Sequence, residues 1–212
     1  MNNHQEHEYV DLGLPSGTLW ATCNIGADRP EDYGDYFAWG EVEPMPVHIG
    51  RDDWEIYKYS QGSHTMMTKY VNKAEYGFKD NLVKLLPEDD AATVNWGKGW
   101  RMPTVEEMEE LTKKCKWEWL VYGFSLKGPN GNGLFLPASG FRRKCDYSIR
   151  DKYNAESLDE EGYYWSCSLD RGSPYMARTI QFRGHFDYIG KYWVSNNMRF
   201  KGLSVRAVRS AE

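Results

Sequence analysis

A chain of 212 residues, 27% charged and 41% apolar, is long enough to bury a core without disulfide or metal staples and too apolar to stay disordered. Its formal net charge of -5 argues against a general nucleic-acid binder, which carries a basic surplus. No apolar run approaches the roughly 18 residues of a membrane-crossing helix, so no part of this domain is expected to insert into a bilayer.

Residues 1–8 are polar and read as a solvated tail, His4 and His7 included; they lack the apolar core of a secretory signal. Tyr9 to Trp20 reads as a hairpin, two short strands joined by the Pro15-Ser16-Gly17 turn. A short strand is expected from Asp35 to Trp39. Residues 41–80 hold Pro44, Pro46 and scattered aromatics without a clean period, and read as a long surface excursion. Asp80 to Leu86 reads as a helical turn stopped by Pro87. Glu88-Asp89-Asp90 then reads as an acidic helix start, because carboxylates suit the positive end of the dipole. Three adjacent acids also suit calcium, but the acid and glycine spacing of an EF-hand loop is missing.

The clearest helix starts at Thr104. Glu107 lies three residues on and completes a capping box. Glu106, Glu107, Glu109 and Glu110 crowd its first turns and Lys113, Lys114 and Lys116 its last, matching the macrodipole. Met108, Leu111, Thr112 and Cys115 form the inward stripe, which leaves the glutamates as a solvated face. Tyr122 to Lys127 and Leu134 to Leu136 follow as strands joined by a Gly128-Pro-Asn-Gly-Asn-Gly133 turn. Turn chemistry accounts for Asn130 and Asn132 without a calcium or sugar ligand. Gly140 to Lys144 is a small basic cluster that reads as solvated, and 144–161 reads as a loop.

The stretch from Gly162 to Val208 organises the rest. Its flanks, Gly162 to Leu169 and Leu203 to Val208, are apolar and strand-like. Ala177 to Arg183 alternates, with Ala177, Thr179 and Ile180 or Phe182 inward. Between the flanks lies a run rich in Tyr, Trp, Asn, Ser, Asp, Gly, His and Arg. Such residues recognise surfaces well, since aromatics give rigid contact area and Ser, Asn and Gly give adaptable hydrogen bonds. Core packing of the same aromatics is the competing reading. Cys23, Cys115, Cys145 and Cys167 form no C-x-x-C pair and read as free, mostly buried thiols rather than bridges or zinc ligands. No Ser/His/Asp or Cys/His motif is legible, and five histidines supply few bases. With no repeat and no linker, one domain over 9–209 is the simplest organisation.

Several segments taken together carry a resemblance: Leu19 to Ala27, Tyr36 to Glu41, Gly99 to Thr104, Gly128 to Asn132, Leu136 to Gly140, Tyr164 to Ser166 and Gly202 to Arg206. The chain resembles a family of paralogous C-type-lectin-like domains of gut bacteria. Their relatives share the broader fold of formylglycine-generating enzymes and of the variable proteins of diversity-generating retroelements. The resemblance implies an α+β, C-type-lectin-like fold with small antiparallel sheets, one or two flanking helices and much irregular loop. In the variable proteins, the segment before a Gly-x-Ser-Val-Arg-like ending carries the binding residues. The matching positions here lie within 163–201. They are Arg178, Gln181, Arg183, His185, Asp187, Tyr188, Tyr192, Ser195, Asn196, Asn197, Met198, Phe200 and Lys201. The implied protein is a non-enzymatic binder of an unknown protein or glycan ligand, an adhesin-like molecule displayed on the cell surface, secreted, or carried on a phage particle.

Two departures narrow this. Calcium-binding lectins pair Glu-Pro-Asn or Gln-Pro-Asp with Trp-Asn-Asp, whereas this chain has Gly128-Pro129-Asn130 and no Trp-Asn-Asp. No cofactor is therefore expected, and calcium is the one ion left open. Formylglycine-generating enzymes need a close pair of C-terminal cysteines, and Cys167 has no near partner in sequence. A thiol oxidase built on Cys167 and a structural module of a fimbria or phage tip are the alternative readings.

Overall fold

The computed structural model describes residues 7–46, 53–143, 157–184 and 191–211. It is a mixed α+β structure of small sheets and few helices. The expected hairpin forms: β1 (Tyr9–Asp11) pairs antiparallel with β2 (Thr18–Ala21). The strand expected over Asp35 to Trp39 is shorter, β3 (Tyr36–Phe37). The tail reading stops before His7, whose ring stacks on Trp96 at 3.7 Å, while the Glu8 carbonyl accepts a hydrogen bond from Thr22 N at 3.0 Å.

Residues 41–80 depart most from expectation. The described residues 53–80 form short elements but are not confined to the surface. After α1 (Asp53–Ile56) they send Tyr57, Tyr59, Met67, Tyr70 and Val71 into the core. The expected helical turn over 80–86 is absent; Lys84 instead makes a β-bridge to Ser168, and the turn comes as a 3-10 helix at Pro87–Asp89. Asp90 caps the next helix, α2 (Ala91–Trp96), accepting from the amides of Ala92 and Thr93 at 2.9 and 3.1 Å. The acidic helix start is thus a capping residue, while Asp89 turns inward.

Helix α3 (Val105–Lys114) carries the full capping box: Thr104 Oγ1 accepts from Glu107 N at 3.2 Å and Glu107 Oε2 accepts from Thr104 N at 2.8 Å. Met108 and Leu111 are buried and Cys115 follows them inward, as the stripe predicts. Glu107 does not join the solvated face. Arg101 and the Thr18 hydroxyl both bond its carboxylate. Burial would raise that carboxyl, but those donors and the Thr104 amide outweigh it and hold the pKa at about 2.

A strand missed in the sequence, β4 (Lys116–Leu120), leaves the helix directly. It pairs with β5 (Gly123–Lys127), which pairs with β6 (Gly133–Pro137) around the expected turn. Asn130 and Asn132 act there as connectors, both donating to the Asp11 carbonyl, at 2.9 and 2.8 Å. The basic cluster is paired rather than solvated. Arg142 lies over the Tyr36 ring at 4.4 Å, and Arg143 bonds buried Asp53 at 3.0 Å.

The C-terminal third builds the central sheet from β7 (Glu161–Leu169), β8 (Met176–Arg183), β9 (Lys191–Met198) and β10 (Leu203–Ser204), in the order β3-β10-β7-β8-β9. The last strand, β11 (Val208–Ser210), leaves this sheet to flank β2, so the closing strand expected from Leu203 to Val208 is divided between two sheets. One core lies on each side of β7 and β8. Tyr163, Trp165 and Ala177 enter the core built on Trp39 and Tyr70. Tyr164, Ile180 and Phe182 enter the one built on Leu111 and Phe124. A strand buried on both faces reads as a continuous apolar run, which is why β7 lacks the alternation of an edge strand. Gly162 permits this closeness: a Cβ there would meet the Phe182 ring at 2.0 Å.

Candidate ligand-binding face

Successive residues of a strand point to opposite faces, so the register of β8 and β9 sorts the candidate residues. The pairs Arg183 with Lys191, Gln181 with Trp193, Thr179 with Ser195 and Ala177 with Asn197 lie on one face. Phe182 with Tyr192, Ile180 with Val194, Arg178 with Asn196 and Met176 with Met198 lie on the other. The resemblance places Arg178, Gln181, Arg183, Tyr192, Ser195, Asn196, Asn197 and Met198 on one surface. The structure divides them.

The first face brings together Gln181, Arg183, Ser195 and Asn197, with Trp193 at its centre. Trp193 is absent from the positions the resemblance carries over; strand parity against Tyr192 is the signal that brings it in. Apart from exposed Arg183, these side chains are half-buried and therefore reachable. The Arg183 guanidinium sits 5.9 Å from the Trp193 ring centre and is anchored by Glu161. Gln181 Nε2 donates to Thr179 Oγ1 at 3.0 Å and to the Asn196 carbonyl at 3.2 Å, which fixes its amide. Tyr163 continues the row on β7, and its ring meets Phe141 at 5.3 Å. Lys201 lies over the Phe141 ring at 4.2 Å. The result is a polar and aromatic strip running from Lys201 across the sheet to Arg183.

On the second face the expected residues do other work. Tyr192 stacks on Trp117 at 4.3 Å and belongs to the core beneath α3. Asn196 Nδ2 donates to Asp170 Oδ2 at 2.5 Å. Arg178 lies 4.0 Å from the same carboxylate, and Met198 is exposed beside them. Phe200 is not ligand-facing at all. It is 4% exposed and packs edge-on against Trp54 at 4.7 Å, because the chain turns inward after β9. His185, Asp187 and Tyr188 lie outside the described residues.

A second charged cluster sits wholly inside. Arg199 is 0% exposed; its guanidinium donates to Tyr57 Oη at 2.9 Å and to the carbonyls of Pro174, Lys69 and Tyr70 at 2.8, 3.0 and 3.3 Å. The Trp39 ring lies 4.8 Å from it. Nearby, Asp89 accepts from Lys58 at 3.1 Å, Lys69 at 2.5 Å, Tyr59 at 2.5 Å and Tyr70 at 2.7 Å. Burial pushes its carboxyl up, but these donors prevail and hold the pKa at about 2. Its oxygens are committed to the fold.

Among the described residues, no group of three or more His, Cys, Asp or Glu side chains is placed to hold a metal ion. Cys23, Cys115 and Cys167 are free thiols. Cys167 is 1% exposed, and burial pushes its pKa up to about 12. No described helix is long and apolar enough to cross a membrane.

These features define an α+β structure in which one sheet face is reachable around Gln181, Arg183 and Trp193 and buried around Trp165, Thr179 and Ala177, beside a sealed charged core. Comparison with protein-family models, with curated proteins and with solved structures gives no match to this chain.

Proposed function

We propose that the chain is a non-enzymatic ligand-binding domain of the C-type-lectin-like kind, displayed on a cell surface or secreted. It grips a protein or glycan through Gln181, Arg183, Trp193, Ser195, Asn197 and Lys201. The observation that carries this reading is the parity of β8 and β9. Gln181, Arg183, Trp193, Ser195 and Asn197 share one face, at whose inner end Thr179 and Ala177 are buried, while the apolar residues alternating with them, Ile180, Phe182 and Val194, pack into or against the core behind it. A half-buried Trp flanked by Arg, Gln, Ser and Asn offers stacking area with hydrogen bonds around it, the chemistry of an interaction hot spot.

The oxidase reading fits less well. A reactive cysteine must be a reachable thiolate, and the burial and raised pKa of Cys167 oppose both conditions.

The test is capture on glycan and protein arrays by the native chain and by a variant combining Gln181→Ala, Trp193→Ala and Asn197→Ala. Loss of capture with an unchanged melting temperature supports the reading. Capture that survives all three substitutions refutes it.

A further inference from the structure

A cavity lies on the side of the sheet opposite Trp193. It has a volume of about 570 Å³ and opens between the start of α3 and the ends of β7 and β8. That volume falls within the roughly 300–1,000 Å³ usual for small-ligand sites. Its walls carry charge of both signs: Lys84, Arg171 and Arg178 on one hand, Glu106, Glu109 and Asp170 on the other.

These charges do not simply cancel one another. Asp170 is occupied, its Oδ1 accepting from the amides of Gly172 and Ser173 at 2.8 and 3.2 Å and its Oδ2 from Asn196 at 2.5 Å. It holds Arg178 at 4.0 Å and thereby fixes where that guanidinium stands. Glu109 is bonded to Lys113 at 2.8 Å on the exposed side of the helix. Among the described residues, Lys84, Arg171 and Glu106 make no side-chain ion pair, yet all three face the cavity. The cavity therefore presents two unspent cations beside an oriented Arg178, and an unspent carboxylate on α3.

We propose that this cavity binds a small zwitterion of peptide kind. Its carboxylate sits on Arg178, Arg171 and Lys84, and its ammonium sits on Glu106. Arg is suited to the first task because its planar fork meets a carboxylate in two parallel hydrogen bonds. Complementary charge at both ends selects against ligands of a single sign. The site shares no side chain with the Trp193 face, so it stands or falls independently of the reading above.

The test uses triglycine as probe, followed by calorimetry and by amide chemical shifts of the native chain. N-acetylated triglycine and triglycine amide separate the two ends. Triglycine is expected to bind at millimolar concentration or below. Blocking either end, or substituting Arg178→Ala or Glu106→Gln, is expected to weaken it about tenfold or more, the effect of losing one charge-assisted contact. Trp193→Ala is expected to leave it unchanged. Should Arg178→Ala unfold the chain, the exposed pair Arg171→Ala and Lys84→Ala serves in its place. No response to triglycine at millimolar concentration, or equal binding of the blocked forms, overturns the proposal.

Discussion

Arg199 and Arg183 lie sixteen positions apart in the same recognition-rich stretch, and their fates are opposite. Arg199 is sealed among Trp39, Tyr57 and Tyr70, with donors spent on one hydroxyl and three carbonyls. Arg183 stands exposed near Trp193 and pairs with Glu161 at the end of its strand. Both place a cation near aromatic rings. One arrangement lies wholly inside the fold and the other at its surface. The difference lies in burial, with Arg199 sealed and Arg183 at the surface, which no inventory of residue types reveals.

Breaking the sealed cluster should have the largest effect. Arg199→Ala leaves a cavity and strips hydrogen bonds from buried acceptors, and an expected cost of about 4 kcal/mol or more would show in denaturant unfolding. Arg199→Lys should rescue little, because one ammonium does not reproduce the planar fork. Asp89→Ala comes next, at about 3 kcal/mol, since it leaves Lys58, Lys69 and two tyrosine hydroxyls facing a missing acceptor.

Acid should attack the same inner network. The carboxyls of Glu107 and Asp89 are held near 2, below their ordinary values of 4.5 and 3.8. Groups depressed in the fold contribute stability above their unfolded pKa and lose it as pH falls toward the folded one. Stability should therefore decline from about pH 4.5 toward pH 2, measured as the melting temperature against pH. Glu107→Gln should flatten part of that decline.

A milder effect is expected at the helix start. Thr104→Ala removes the side-chain half of the capping box and should cost about 1 kcal/mol. The smallest effect on stability belongs to the open face: Trp193→Ala should change it by about 0.5 kcal/mol or less while weakening ligand capture. A large loss of stability there would erase the contrast with Arg199.

Local signals in the chain were legible where chemistry is local. The Thr104 and Glu107 capping box and the Gly128 to Gly133 turn each depend on a few adjacent residues, and each forms as read; the acidic helix start narrows to one capping residue, Asp90. Residues 41–80 were misread because their order depends on distant partners. Tyr57 and Tyr70 are fixed by Arg199, more than 120 positions away, and a tract without period shows nothing of this. The basic cluster was misread for the same reason, since Arg143 finds Asp53 from 90 positions off. The binding segment was found by composition but not resolved by face. Tyr192 and Trp193 are adjacent and chemically alike, and only the register with Phe182 and Gln181 shows that the first packs under α3 while the second stands on the open side.

That alternation is the centre of the account, and a proteolysis-based stability scan of every position from Met176 to Lys201 tests it most directly. The account predicts alternation from Ile180 to Arg183 and from Tyr192 to Asn197: Gln181, Arg183, Trp193, Ser195 and Asn197 tolerate most substitutions, while Ile180, Phe182 and Val194 tolerate few; Ala177 and Thr179, buried, tolerate few as well. Equal intolerance at Trp193 and Val194 would contradict it, because the supposed gripping face would then be part of the core.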